Sequence, residues 1–399
     1  MPNLLSRVFC LINRLPVFLV IDAGTTLIKI FVFDKDLKVR DQIKIKNKTF
    51  VSHENWREQN PTEIYLQVLE AIKKMVKNYN VVASGITNQR ETTIIWDSNT
   101  GVATYPAITW EDGRIKDDDL YFVENYLPRA KLKELTGLPL SPIYSAAKIK
   151  WILENESNAR DLLERNRLAF GNLNSWLIFN LGKEQNHFTD HTNASHTLLY
   201  SLKENDWSKN LLRIFRIDPR ILPEIKSNYY NFGQIDLENK TIPILVSIAD
   251  QQSSLYYAMN NEENKSDAKL TIGTGIFLDS FLDKSIKIKP DFETVVAFNK
   301  KVSFYMLEFR AKLSGAQLID AVRSEDQKMI DGFLRVIKEK IKELKINKLV
   351  VDGGGVRNDE IGNKLFEYLQ NLPAEIIKLN NCESTALGVA QILRDNFKC

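Results

Sequence analysis

Residues Val17–Val39 read VFLVIDAGTTLIKIFVFDKDLKV. Val17–Ile21 is short and wholly apolar, as expected of a buried strand. A tight turn at Ala23-Gly24 follows. Leu27–Phe33 then alternates as a second strand, and Val39–Lys46 as a third. The first hairpin therefore carries Asp22 at a strand end and Gly24-Thr25-Thr26 at its tip, where backbone N–H groups and two hydroxyls are on offer. The same plan returns at Lys269–Phe281: strand, Gly273-Thr274-Gly275, strand. Two sheets of one design, each with a glycine-bearing tip, predict two related α/β lobes.

The rest of the chain alternates around these hairpins. Asn60-Pro61-Thr62-Glu63 is a capping-box-like start with proline at the first helical position, and its helix runs to about Asn78. Val81–Ile86 and Thr92–Trp96 read as strands, and Pro128 to Phe179 as mostly helical. Thr241–Ile248 is a buried strand ending at Ala249-Asp250, and Gln251–Ala258 starts a helix. Val302–Phe309 reads as a strand. Met329, Ile330, Phe333, Leu334, Ile337, Ile341 and Leu344 recur at helical spacing, so Val302 to Lys348 reads as strand, one helix, strand. Leu349–Val351 enters Asp352-Gly353-Gly354-Gly355, and Ser384–Arg394 closes the chain as a helix.

Composition narrows the class. A length of 399 residues predicts two or three domains at roughly 100–200 residues each. Hydrophobic residues at 44% and charged residues at 26% exclude a disordered or fibrous chain. Lys+Arg of 54 against Asp+Glu of 51 leaves a net charge of +3, too balanced for a nucleic-acid or membrane-surface binder. The three cysteines, Cys10, Cys382 and Cys399, have no metal-ligand or framework spacing, and a cytoplasmic setting is expected. No apolar run has a membrane-spanning length. The opening residues 1–16 are expected to be a short surface extension or the result of a start codon placed too far upstream, rather than a signal sequence, because they lack a small-residue cleavage site and a core strand follows at once.

Each glycine-bearing turn alone is read most simply as a plain turn. Three at strand ends form a stronger pattern. Backbone N–H groups at such turns cradle phosphate oxygens, and glycine permits close approach. An aspartate at a strand end suits a hard cation held through water.

Five stretches carry a resemblance. They are Gly85–Arg114 (GITNQRETTIIWDSNTGVATYPAITWEDGR), Thr136-Gly137-Leu138-Pro139 through Lys150-Trp151-Ile152-Leu153, Asn174–Tyr200, Ala249-Asp250-Gln251-Gln252, and Val351-Asp352-Gly353-Gly354 with Glu383–Gly388. On these the chain resembles the glycerol kinases of the FGGY carbohydrate kinase family, from about Val17 to Arg394.

The resemblance implies two actin-like, RNase H-like lobes hinged around a nucleotide cleft. It implies a glycerol-binding lobe over 17–240 and a nucleotide-binding lobe over 241–399. Phosphorylation of glycerol by Mg·ATP to sn-glycerol 3-phosphate follows from it. Asp250 is then the general base. Arg90, Glu91 and Gln251 bind glycerol hydroxyls, with Trp110 and Phe277 walling its carbons. Gly24, Thr25, Thr26 and Lys29 hold phosphates from one lobe, and Gly273, Thr274, Gly315, Gly354 and Asn358 hold the nucleotide from the other. Asp22 serves the Mg²⁺. A homodimer is one assembly the resemblance allows.

The chain also departs from the family. Lys29 stands where arginine is usual, which removes a bidentate contact. Ile143 replaces a pocket tyrosine, leaving Tyr144 beside it. Ala249 replaces a glycine, and Ile319 a glutamine. The family's Gly-Leu-Gly-Ala-Pro-Tyr-Trp stretch has no counterpart, so the second lobe is reduced. A kinase for another small polyol or sugar, and a non-catalytic relative binding nucleotide or polyol, therefore stay open as alternatives. His187, Asp190, His191 and nearby His196 have metal-like spacing, but they fall in a strand and loop that carry no metal in the resemblance.

Overall fold

The structure is a computed structural model that describes residues 15–238, 240–261, 265–356, 359–379 and 383–397. Its contacts divide the chain into two units. One runs to Asp250 and takes in Phe298–Ser303 and the stretch from Val389. The other comprises Gln251–Ala297 and Phe304–Gly388.

In the first unit, β1 (Pro16–Ala23), β2 (Leu27–Phe33) and β3 (Val39–Lys46) form an antiparallel run. Helix α1 (Pro61–Asn78) leads into β4 (Asn80–Asn88), which pairs parallel to β1. The helix starts as its sequence predicts: the Asn60 side chain accepts from Glu63 N, and Pro61 occupies the first turn, where no N–H is needed. Ile64, Val68, Ala71, Ile72 and Met75 form its buried stripe, packed with β1 and β2 side chains. Helices α2 (Ser145–Asn155) and α3 (Leu173–Leu181) follow. Strands β5 (Tyr229–Leu237) and β6 (Lys240–Ala249) complete a sheet of order β5-β6-β4-β1-β2-β3. Strand β6 is parallel to β4 and belongs to this sheet, so the chain divides after Asp250 and not at the expected 240/241 boundary. Helix α4 (Asp250–Asn260) begins at that divide.

The second unit repeats the plan. Strands β7 (Ala268–Ile272) and β8 (Ile276–Asp283) form the second glycine-tipped hairpin. With β9 (Glu293–Asn299), β10 (Ser303–Arg310), β11 (Lys348–Asp352) and β12 (Glu375–Lys378) they give the order β9-β10-β8-β7-β11-β12. As in the first sheet, a hairpin extended by a third antiparallel strand lies beside parallel strands. The fold class read from the sequence, α/β with two sheet-bearing lobes of one design, is the observed one.

Between β10 and β11 the chain forms two helices, α5 (Gly315–Ser324) and α6 (Gln327–Leu344), where one was expected. Glu325, at φ 58°, ends the first in the left-handed conformation, and the Asp326 side chain caps the second by accepting from Met329 N. Helices α7 (Glu360–Leu369) and α8 (Ser384–Asn396) complete the chain. Strands β9 and β12 and helix α7 were not foreseen.

Candidate active site

The hairpin tip of the first unit is held from several sides. Asn47 N donates to Thr26 O at 2.9 Å, and its Nδ2 to Gly24 O at 3.0 Å. Gln59 Nε2 donates to Thr25 O at 3.0 Å, and Trp110 Nε1 to Thr25 Oγ1 at 2.9 Å. These bonds turn the tip's carbonyls toward the protein. Across the hairpin, Asp22 and Lys29 are register partners, with Lys29 Nζ 3.3 Å from Asp22 Oδ2. Trp110, read as a wall for a carbon chain, thus also donates to the hairpin tip.

Arg114 fixes the loop that bears Trp110. Its guanidinium lies 4.0 Å from the Trp56 ring and 4.6 Å from the Trp151 ring. It donates to Asp112 Oδ1 at 2.8 Å, Glu58 Oε1 at 2.6 Å and the Tyr105 hydroxyl at 3.1 Å. Cation–π and charge-assisted contacts together make this a rigid anchor.

The motif Asn88-Gln89-Arg90-Glu91 begins on the last residue of β4. Gln89 N donates to Ala23 O, and its side chain donates to Gln59 Oε1 at 2.6 Å. Since Gln59 also holds Thr25, one line of amides joins the motif to the hairpin tip. Glu91 adopts φ 58°, a backbone region costly for a residue with a side chain. Lys148 of α2, buried, donates to Glu91 O at 2.9 Å and so helps to secure the turn. Tyr144, fully buried, stands just ahead of that helix. The turn brings three side chains into a row with Asp250. Arg90 Nε lies 3.4 Å from Asp250 Oδ1, Arg90 Nη1 lies 2.9 Å from His196 Nε2, and His196 Nδ1 lies 3.3 Å from Glu91 Oε1. The Asp250 side chain keeps 28% exposure, so a buried row ends in an accessible carboxylate.

The end of β6 is positioned by Asp190. This carboxylate is fully buried. Its Oδ1 accepts from Thr192 N, Thr192 Oγ1, Asn193 N and Asn228 Nδ2. Its Oδ2 accepts from Asn174 Nδ2, Ser247 Oγ and Asn193 Nδ2. Thr192 Oγ1 in turn accepts from Ala249 N at 2.9 Å, next to Asp250, and Asn193 exchanges amide bonds with Asn88. Asp190 therefore ties together the two segments that carry Arg90 and Asp250.

The spacing that resembled a metal site does not converge. His187 Nε2 donates to Phe170 O at 2.7 Å, and His191 Nδ1 lies 2.8 Å from the Tyr200 hydroxyl. Burial pushes His187 down to about 4 from an ordinary 6.5. Between those values the unfolded chain takes up a proton that the folded chain refuses, so stability falls as pH drops through that window. His187→Gln keeps a donor for Phe170 O without the titration. A shallower loss of unfolding free energy on acidification is expected in urea titrations; an unchanged slope contradicts it.

In the second unit the tip is built by close approach. Gly273 N donates to Gly275 O at 2.9 Å. Gly315, the first residue of α5, sits so near that a Cβ there would lie 1.8 Å from Gly273 O. Gly353 has φ 105°, and a Cβ on it would lie 2.4 Å from Ile272 O. These glycines let α5 and the end of β11 close on the turn that holds Gly273 and Thr274. Gly354 lies exposed beside them, and Asn358 falls outside the described residues. Gln251 Oε1 accepts from Thr271 Oγ1 at 2.8 Å and from the buried Lys269 at 3.3 Å. The Arg310 guanidinium lies 5.1 Å over the Phe277 ring.

Sequence reasoning missed His196, Asp190 and Arg114 as parts of the site. Each had a signal: His196 and Asp190 lie in one of the quoted stretches, and Arg114 ends another.

Residues 17–256 match the FGGY family of carbohydrate kinases, N-terminal domain. Glycerol kinase 2 of Sulfolobus acidocaldarius is 35% identical over 302 residues, covering 74% of this chain and 60% of that protein. The glycerol kinase of Mycoplasma genitalium is 35% identical over 342 residues, covering 81% and 67%. The chain thus spans about three fifths to two thirds of the length of these relatives. The crystal structure of Plasmodium falciparum glycerol kinase with ADP superposes with a TM-score of 0.83 at 25% identity, covering 97% of this chain and 91% of that one. Xylulose kinase from Lactobacillus acidophilus shares the fold, with a TM-score of 0.77 at 17% identity. With the family's N-terminal domain matched over more than half of its length, the chain belongs to the FGGY family of carbohydrate kinases.

Proposed function

We propose that this protein phosphorylates glycerol at a terminal hydroxyl, using ATP and giving sn-glycerol 3-phosphate and ADP. The observation that carries the reading is the row Asp250–Arg90–His196–Glu91. A small triol offers little area for hydrophobic grip, so charged donors and acceptors must supply selectivity. Arg90 supplies donors and Glu91 an acceptor, both held rigidly. Asp250 is accessible and can only accept when ionised. As the hydroxyl oxygen bonds to the γ-phosphorus, Asp250 takes the hydroxyl proton and the bond to the ADP oxygen breaks. Such transfer depends mainly on positioning and electrostatics.

The hairpin tip at Gly24-Thr25-Thr26 and the turn at Gly273-Thr274 are the phosphate ligands of this reading. Gly315 and Gly354 are nucleotide contacts, and Asn358 is assigned with them on the resemblance alone. Asp22 is a single carboxylate ion-paired to Lys29. Among the described residues no group of three or more acidic, histidine or cysteine side chains could hold a metal ion. That donor set fits Mg²⁺ carried chiefly by water and phosphate oxygens, with Asp22 as an outer ligand. When bound, the ion would neutralise phosphate charge. Gln251, Trp110, Tyr144 and Phe277 complete the polyol contacts of this reading, although Tyr144 is fully buried here and Phe277 nearly so. A cytoplasmic location is part of the same reading; among the described residues no helix is long and apolar enough to cross a membrane.

ADP release measured against a panel of small polyols and sugars tests the reading: glycerol should give the highest kcat/KM, and no polyol-dependent release would end it. Arg90→Ala should raise the glycerol KM by about 10–100-fold, because it removes a charged donor from the site. The ATP KM should change little. Equal losses for both substrates would make Arg90 a structural ion-pair residue only.

A further inference from the structure

Asp250 follows Ala249, the last residue of β6, and opens α4. How the end of β6 is held therefore decides where this carboxylate lies. N–H groups two residues apart point to the same edge of a strand. On the β5 side of β6, Tyr229 pairs with Val246, and Ser247 N donates to Asn228 O at 3.1 Å. Continued from Tyr229 and Val246, that register would set Lys226 opposite Ala249. The chain turns away instead. Glu224–Lys226 forms a parallel pair with Phe188–Asp190, with Lys226 against Asp190. Thr192 then takes the place of the missing strand carbonyl. Its Oγ1 accepts from Ala249 N at 2.9 Å and donates to Asp190 Oδ1. Asp190, Thr192 and Ala249 are all fully buried, so this hydroxyl is the partner that a buried N–H requires. Giving its proton to a carboxylate makes the oxygen a better acceptor.

We infer that Thr192 is a positioning residue for the transfer: its hydroxyl stands in for a strand partner at the end of β6 and so fixes the backbone from which Asp250 meets the attacking hydroxyl. The inference rests on the kinase reading above. Thr192 touches no reacting atom in this scheme. It acts through the Ala249 N–H, one residue from the base. A misplacement of about 1 Å in a reacting group can cost about 10²-fold in rate. The fold has less at stake, because without this hydroxyl Asp190 still accepts six hydrogen bonds.

The test uses the full chain and the variants Thr192→Val and Thr192→Ser, each also combined with Asp250→Asn. Valine keeps the shape and removes the hydroxyl; serine keeps the hydroxyl. Glycerol-dependent ADP release gives kcat and the ATP KM. Thr192→Val should lower kcat by about 10–100-fold with the ATP KM within about 3-fold, and Thr192→Ser should stay within about 3-fold of the parent in both. In the Asp250→Asn background the valine substitution should cost little more, because the group it positions no longer acts as a base. An unchanged kcat in a folded Thr192→Val would overturn the inference and leave the kinase reading in place. So would a loss of the same size in both backgrounds, which marks general damage to the fold. A parent chain without polyol-dependent ADP release would remove the kinase reading and the inference with it. If Thr192→Val does not fold, hydrogen exchange of the parent decides: an Ala249 N–H protected like that of Ser247 supports the inference, and one that exchanges freely contradicts it.

Discussion

Asp250→Asn is expected to cut turnover by about 10²–10⁴-fold, the usual worth of a positioned general base. The amide keeps the size of the side chain but cannot take the proton of the attacking hydroxyl. Because the Asp250 side chain is 28% exposed, its amide finds water and the fold should persist. The loss should therefore appear in kcat, with ATP affinity little changed and the unfolding midpoint near that of the parent. Turnover within a few-fold of the parent would remove Asp250 from the chemistry. Arg90 shares in this result: it loses a charged partner 3.4 Å away but keeps His196.

The second large effect is expected at a residue far less exposed. Asp190→Ala removes the acceptor for seven hydrogen bonds, all inside the first unit. Several buried donors would be left without partners, and the cost should be about 3–5 kcal/mol of unfolding free energy. Asp190→Asn is not a gentle alternative. Whichever oxygen is replaced by nitrogen, an NH₂ group would face donors from Asn174, Ser247 and Asn193, or from Thr192 and Asn228. Urea unfolding of both variants checks this. A midpoint close to the parent in Asp190→Ala would show that water or a shifted backbone satisfies these donors. Because Thr192 Oγ1 also accepts from Ala249 N, the damage should reach Asp250.

These two aspartates illustrate what the sequence discloses. The hairpin β1–β2 was legible because its alternation and its Gly-Thr-Thr tip are local, and so was its repeat at β7–β8. The start of α1 was legible for the same reason: cap, proline and apolar stripe lie within a few residues. The break at Glu325-Asp326 was not, because no glycine or proline marks it and the apolar stripe of α6 runs up to it. Strand β12 is four residues long and only partly buried, so its pattern is too weak to read. At the site, Arg90, Glu91 and Asp250 were picked out through quoted motifs, and the structure draws them into one row. His196 and Asp190 were seen only as metal-like spacing. Their true partners come from other elements: Arg90 and Glu91 for one, Asn228, Asn174 and Ser247 for the other. Such meetings depend on tertiary placement, which no local pattern encodes.

The closeness of Trp110 to Thr25 makes the same point in energetic form. An indole N–H that is half-buried needs a partner, and the hairpin hydroxyl supplies it. Thus a residue expected to line the polyol also orients the turn expected to hold phosphate. The Gln89–Gln59–Thr25 line does so by a second route.

The most direct test of the central claim is ³¹P NMR of the purified chain mixed with ATP, Mg²⁺ and glycerol. The account predicts that the γ-phosphate signal gives way to that of sn-glycerol 3-phosphate, in step with ADP, and that Asp250→Asn slows both together. ADP appearing with inorganic phosphate alone, or no change in a chain that still binds ATP, would contradict it.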